Sequence, residues 1–222
     1  MLKGLAITAG LALSAWVIAL ALGTVIGVAR TLPFAPLRAA ATAYVELFRN
    51  IPLLVQMFLW FFVLPELVPE SLGHWLKREL PYPEFFSAMV GLGLYTAARV
   101  AEQVRSGIGS VPPGLTAVAR TSGLTLAQTY RYVLLPLGFR IIVPPLTSEF
   151  LGIVKNTSIA LTIGVMEITA ASRQIESYTF QGYEAFAAAT ALYLMISVTL
   201  LFVTRRLEAR TRIPGWIARE NA

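Results

Sequence analysis

The sequence predicts an all-α, polytopic membrane protein with five transmembrane helices and a short cytoplasmic helix between the third and fourth. Two observations carry this class. Hydrophobic residues make up 56% of 222 positions and charged residues only 14%, with a mean hydropathy of +0.68; a soluble domain averages about 25% charged. The apolar residues also fall in long runs, and Gly4–Ala29 and Phe186–Thr204 hold no charge at all. A run of about 20 residues, rising ~1.5 Å per residue, suffices for a ~30 Å hydrocarbon core.

The formal net charge of +6 does not point to nucleic acid, because the basic residues are scattered at the edges of apolar runs. Without cysteine, disulfides, thiol catalysis and cysteine metal sites are excluded. The single histidine, His74, lies in a polar loop and reads as solvated. No G-x-x-x-x-G-K-[ST] phosphate loop is present, and no His/Ser/Asp grouping suggests catalysis. Gly4–Ala29 reads as a retained span rather than a cleavable leader, since no small-residue cleavage site follows a short apolar core. The whole chain, 1–222, reads as one transmembrane domain.

Gly4–Ala29 is the first span. Its Gly23 and Gly27 form a GxxxG that allows close helix contact, or are ordinary small residues of a membrane helix. Arg30 to Arg38, with two prolines, is a surface turn. The second span, Ala39 to Leu64, holds Glu46 and Arg49 on one face, is kinked at Pro52, and ends in an aromatic belt at Trp60, Phe61 and Phe62. Pro65 to Glu84 is a polar loop. The third span, Phe85 to Ile108, carries Arg99, Glu102 and Arg105 at spacings of three. The fourth, Tyr132 to Lys155, contains Glu149 and is broken by Pro136 and Pro144-Pro145. Asn156-Thr157-Ser158 reads as a helix start, with Ile159 to Ala171 a half-helix that dips into the membrane or lies at its outer face. Ile175 to Glu184 is an exposed loop, and Phe186–Thr204 is the fifth span.

Five spans place the termini on opposite sides. With the N-terminus outside, segments 30–50, 99–140 and 205–222 are cytoplasmic and hold thirteen Lys or Arg, against five elsewhere. The positive-inside rule selects that orientation. Arg205, Arg206, Arg210 and Arg212 then hold the C-terminal end in the cytoplasm.

The segment 111–131 therefore faces the cytoplasm too. Pro112, Pro113 and Gly114 break the preceding helix, Ala117 to Ser122 form a short helix, Gly123 caps it, and Thr125 caps the next. This alanine-rich turn, glycine and downstream Leu135-Pro136 resemble the coupling loop of permease subunits of binding-protein-dependent ABC importers. Thr116 and Ala117 stand where that family has a glutamate. YVELFRNIPLLVQ (44–56), AEQVRSGI (101–108), RYVLLP (131–136) and VKNTSIA (154–160) extend the likeness over nearly the whole chain. The wording around 65–70 and 96–105 is most similar to glutamate/aspartate permeases.

The resemblance implies a multi-pass permease of the bacterial inner membrane. It is no enzyme and holds no cofactor, ATP and Mg being bound by two separate ATPase subunits. It works with a second permease, as a heterodimer rather than a homodimer, and with an extracytoplasmic solute-binding protein. The knob of Leu115, Ala117, Ala119, Arg120, Gly123 and Pro136 would seat on the ATPase. Intramembrane polar residues are costly and hence usually functional, which makes Arg99, Glu149, Lys155, Asn156, Thr157 and Ser158 the candidate substrate path. In one reading, Arg99 and the helix start at Thr157 meet substrate carboxylates while Glu149 meets its ammonium group. In the other, Arg99 merely neutralises Glu102 or Glu149. An ion-gradient transporter or channel is the alternative function.

Overall fold

The computed structural model describes residues 1–211, and every regular element among them is helical. They are α1 (Leu2–Ala29), α2 (Ala35–Asn50), α3 (Leu53–Leu67), α4 (70–79), α5 (Pro83–Gly109), α6 (Pro113–Thr121), α7 (Leu126–Ile163), α8 (Ile168–Thr179) and α9 (Gly182–Thr211). Arg212 lies outside the described residues, as does the side chain of Arg210.

The centre of the fold is the seam between α1 and α5. Thr8, Ala12, Ala15, Ala19, Gly23 and Gly27 recur three or four apart along α1 and are all buried. A Cβ built on Gly23 would stand 2.7 Å from the Ala97 carbonyl oxygen; one on Gly27 would stand 2.6 Å from Val104 Cβ. Across the seam, a Cβ on Gly93 would meet Ile18 at 2.8 Å. The GxxxG is therefore a close backbone contact and not an incidental pair. Lipid tails are as apolar as Leu, so helices in a bilayer associate by such packing rather than by hydrophobic exclusion.

Among the described residues, three helices are long and apolar enough to cross a membrane by themselves, within Leu2–Ala29, Leu126–Ile163 and Gly182–Arg206; the pair α2 and α3 makes a fourth if taken as one span. That pair is bent by 104°, so Ala39–Leu64 is not a single kinked span. Ile51 and Pro52 are extended at the break, and α2 buries only Ala41 and Val45. Helix α5 has the length, 27 residues, but Arg99, Glu102 and Arg105 lower its hydropathy. It is nevertheless the most enclosed of the long helices, covered by α1, α2, α3 and α7.

Proline placement departs from expectation in a consistent way. Helix α7 runs unbroken through Pro136, Pro144 and Pro145. Just before Pro136 a π-helical turn, Tyr130–Leu134, lets the Leu135 N–H donate to Tyr130 O, five residues back. Leu59–Val63 does the same before Pro65, with the Leu64 N–H on Leu59 O. A proline cannot donate to the carbonyl four residues earlier; widening the preceding turn accommodates that gap without ending the helix.

The segments read as loops are largely helical. Residues 70–79 form α4, and Tyr82 turns the chain with φ 54° into α5. Asn156 to Ser158 is not a helix start: α7 tightens there into a 3-10 helix, Thr157–Ile163, which ends at Gly164 with φ 96°. Helix α8 covers much of the supposed 175–184 loop, and α9 already begins at Gly182.

Gly23→Val should cost about 1–3 kcal/mol through overpacking, measured as a lower thermal midpoint of the purified protein in detergent. Gly10→Val, where a Cβ meets nothing within 4 Å, should leave the midpoint unchanged.

Candidate functional site: a charged seam and an exposed knob

Helix α6 starts at Pro113, earlier than the expected Ala117, because a proline at the first helical position gives up only an N–H that has no intrahelical partner. It ends at Thr121. The Gly123 N–H then donates to Arg120 O at 3.1 Å and the Leu124 N–H to Ala119 O at 3.2 Å, with Gly123 at φ 87°. A left-handed residue there closes the helix, and glycine takes that conformation without a Cβ penalty. Thr125 caps α7 in a reciprocal capping box with Gln128.

Ala119 faces inward and is buried, whereas Leu115 (40%) and Val118 (62%) are uncovered three residues apart. Ala117, Arg120 and Gly123 are exposed beside them. The loop thus presents a small apolar face on a rigid, capped turn. Pro136 stands apart from it, past the π turn in α7.

A second constellation lies on the far part of α5. Arg99 Nε donates to Glu149 Oε2 at 2.6 Å, joining α5 to α7. Glu102 pairs instead with Arg30, at the C-terminal end of α1, and with Arg105, whose Nε donates to it at 3.0 Å, and Arg49 of α2 approaches to 3.9 Å. Arg49 therefore does not pair with Glu46, which accepts from Asn50 at 3.4 Å. One charged face of α5 is met by opposite charge from three other helices.

Beside the Arg99–Glu149 pair is a cavity of about 270 Å³ lined by Tyr95, Thr96, Arg99, Ser148, Glu149, Gly152, Ile153 and Asn156. Arg99 keeps 48% of its side chain exposed although paired. The cavity thus carries a guanidinium, a carboxylate, an amide and three hydroxyl-bearing neighbours.

The other expected path residues are elsewhere. Lys155 and Ser158 border a separate groove against Thr190, Tyr193 and Ser197 of α9. Thr157 is fully buried, its hydroxyl donating to Val154 O at 2.7 Å. The structure thus removes the helix N-terminus that was to meet a carboxylate. Tyr95, Ser148 and Gly152 were missed, though Tyr95/Arg99 and Ser148/Gly152/Asn156 each repeat every four residues, one face of a helix.

Glu167 was also missed. It is fully buried, caps α8 by accepting from the Thr169 and Ala170 N–H groups at 2.9 and 2.8 Å, and accepts from Tyr193 Oη at 2.6 Å. It ties α8 to α9 at the end of the molecule away from α6.

Comparison with known proteins agrees with this architecture. The family described as "binding-protein-dependent transport system inner membrane component" matches residues 5–213, and the chain belongs to it: it is a membrane-spanning permease subunit of an ABC importer. The glutamate/aspartate import permease protein GltJ of Escherichia coli K12 is 47% identical over 96% of this chain and 87% of its own length. The probable glutamine ABC transporter permease protein GlnM of Bacillus subtilis is 35% identical over 89% and 88%. The crystal structure of an amino acid ABC transporter with histidines superposes with a TM-score of 0.81 at 29% identity, covering 94% of this chain and 92% of that one. An inward-facing MetNI methionine ABC transporter shares the fold, with a TM-score of 0.76 at 20% identity over 96% of each chain.

Glu167→Ala should cost about 2–4 kcal/mol, since it removes a cap and strands a half-buried phenol and two N–H groups. Thermal unfolding in detergent checks this, with exposed Arg173→Ala as the neutral control on the same helix.

Proposed function

We propose that this chain imports glutamate and aspartate as one half of a permease pair. The partner permease is a different chain; two ATPase subunits bind ATP and Mg on the cytoplasmic side, and an extracytoplasmic binding protein delivers substrate. The single observation that carries the coupling role is the uncovered pair Leu115 and Val118 on a helix fixed by Gly123 and by the capping box at Thr125. Small apolar side chains on a stiff support suit a groove in a partner, and the stiffness passes the partner's movement to α5 and α7. The acidic-substrate reading rests on the 47% identity to GltJ.

In this reading α1, α3, α5, α7 and α9 cross the membrane, with the N-terminus outside and the C-terminus in the cytoplasm, as the distribution of Lys and Arg favours. The path runs past Arg99, Glu149 and Asn156, which line one cavity. An incoming dicarboxylate competes with Glu149 for the Arg99 guanidinium, whose planar fork matches a carboxylate. The released Glu149 then meets the substrate's ammonium group, so neither charge is left alone at any stage. Lys155 and Ser158, on another face, take no part in that exchange.

Reconstituted with its partners in vesicles, the protein should accumulate glutamate only with ATP and binding protein, whether or not ionophores are present. Arg99→Gln should abolish the preference for acidic substrates; unchanged substrate ranking would reject the path. Gly123→Val, strained at φ 87°, should lower ATP-driven uptake about tenfold while leaving the purified chain folded.

A further inference from the structure

Two adjoining cavities occupy the lobe formed by the end of α3, α4 and the start of α5. The first, about 420 Å³, is within the ~300–1,000 Å³ typical of small-molecule sites. Its wall includes Trp60, Phe61, Pro65, Leu76, Phe86 and Val90, and apart from Glu66, Lys77 and Ser87 it is apolar. The second, about 360 Å³, is lined by Glu66, Glu70, His74, Lys77 and Arg78 among others, and shares Pro65, Glu66 and Lys77 with the first. An oily chamber thus abuts a pocket bearing both signs of charge.

One further observation bears on the occupant. In the polar pocket Lys77 is held by Glu66, and His74 Nδ1 lies 3.3 Å from Glu79 Oε1. Among the described residues, Glu70 and Arg78 have no ion-pair partner, so one carboxylate and one guanidinium stand free in the same pocket.

We infer that this lobe binds one zwitterionic glycerophospholipid, with an acyl chain in the aromatic chamber and the headgroup in the polar pocket. Arg78, aided by Lys77, meets the phosphate, for which a guanidinium fork is well matched. Glu70 meets the headgroup ammonium, and the apolar wall takes the acyl chain. The lobe sits at the ends of two apolar helices, where aromatic residues meet headgroups. An anionic headgroup fits poorly, because Glu66, Glu70 and Glu79 outnumber Lys77 and Arg78 across α4 and its neighbour.

The test is native mass spectrometry of the full chain, purified in mild detergent and offered phosphatidylethanolamine or phosphatidylglycerol. One phosphatidylethanolamine should be retained in preference to phosphatidylglycerol. Val90→Phe, which narrows the chamber, and Arg78→Ala, at an exposed position that tolerates the change, should each reduce retention about tenfold. Equal retention of the two lipids, no retained lipid, retention unchanged in Arg78→Ala, or a co-purifying protein chain that excludes lipid from the lobe would each overturn the inference.

Discussion

The close seam between α1 and α5 is the constraint on which the rest depends. Glycine and alanine along α1 let two backbones approach until no Cβ fits at Gly23 or Gly27, and this places α5 inside the bundle. That position resolves what is otherwise a contradiction: the helix least suited to lipid by its charges is the one least exposed to it. Arg30 at the C-terminal end of α1, Arg49 from α2 and Glu149 from α7 then surround Glu102 and Arg99. An unpaired charge at membrane depth is costly enough to unfold or displace its helix, so enclosure of α5 is a requirement and not a convenience.

Much of the fold was legible because run length and turn chemistry are local properties. The long apolar runs located α1, α7 and α9, and Gly123 with Thr125 located the bend after α6. What was not legible was set by tertiary partners. Both Glu102 and Glu149 were named as partners for Arg99, and spacing alone could not choose; the neighbouring α7 brings Glu149 to it and Arg30 claims Glu102. Pro136 and Pro144-Pro145 were read as breaks because a missing donor usually ends a helix; the π turn at Tyr130–Leu134 compensates before Pro136, and no residue type announces it. At Asn156-Thr157-Ser158, side chains suited to a helix start instead turn back on the preceding carbonyls, as Thr157 does to Val154 O and Ser158 to Lys155 O. These are back-bonds within a continuing helix, so the helix-start reading fails there.

The two functional regions lie along one mechanical line. Helix α6 joins the end of α5 to the start of α7, and those are the helices bridged by Arg99 and Glu149. In the proposed function, movement of the knob relative to the bundle alters the spacing of the helices that hold the charged cavity. The widened turn before Pro136 lies between the knob and that cavity, and such turns recur at functional sites.

The central claim is that α6 is a cytoplasmic face covered by a nucleotide-hydrolysing partner. Because the chain has no native cysteine, Val118→Cys can be probed with a membrane-impermeant maleimide in vesicles of either orientation. The account predicts labelling only from the cytoplasmic side, and protection there once the ATPase is bound. Labelling from the outer side, or labelling indifferent to the ATPase, would contradict it.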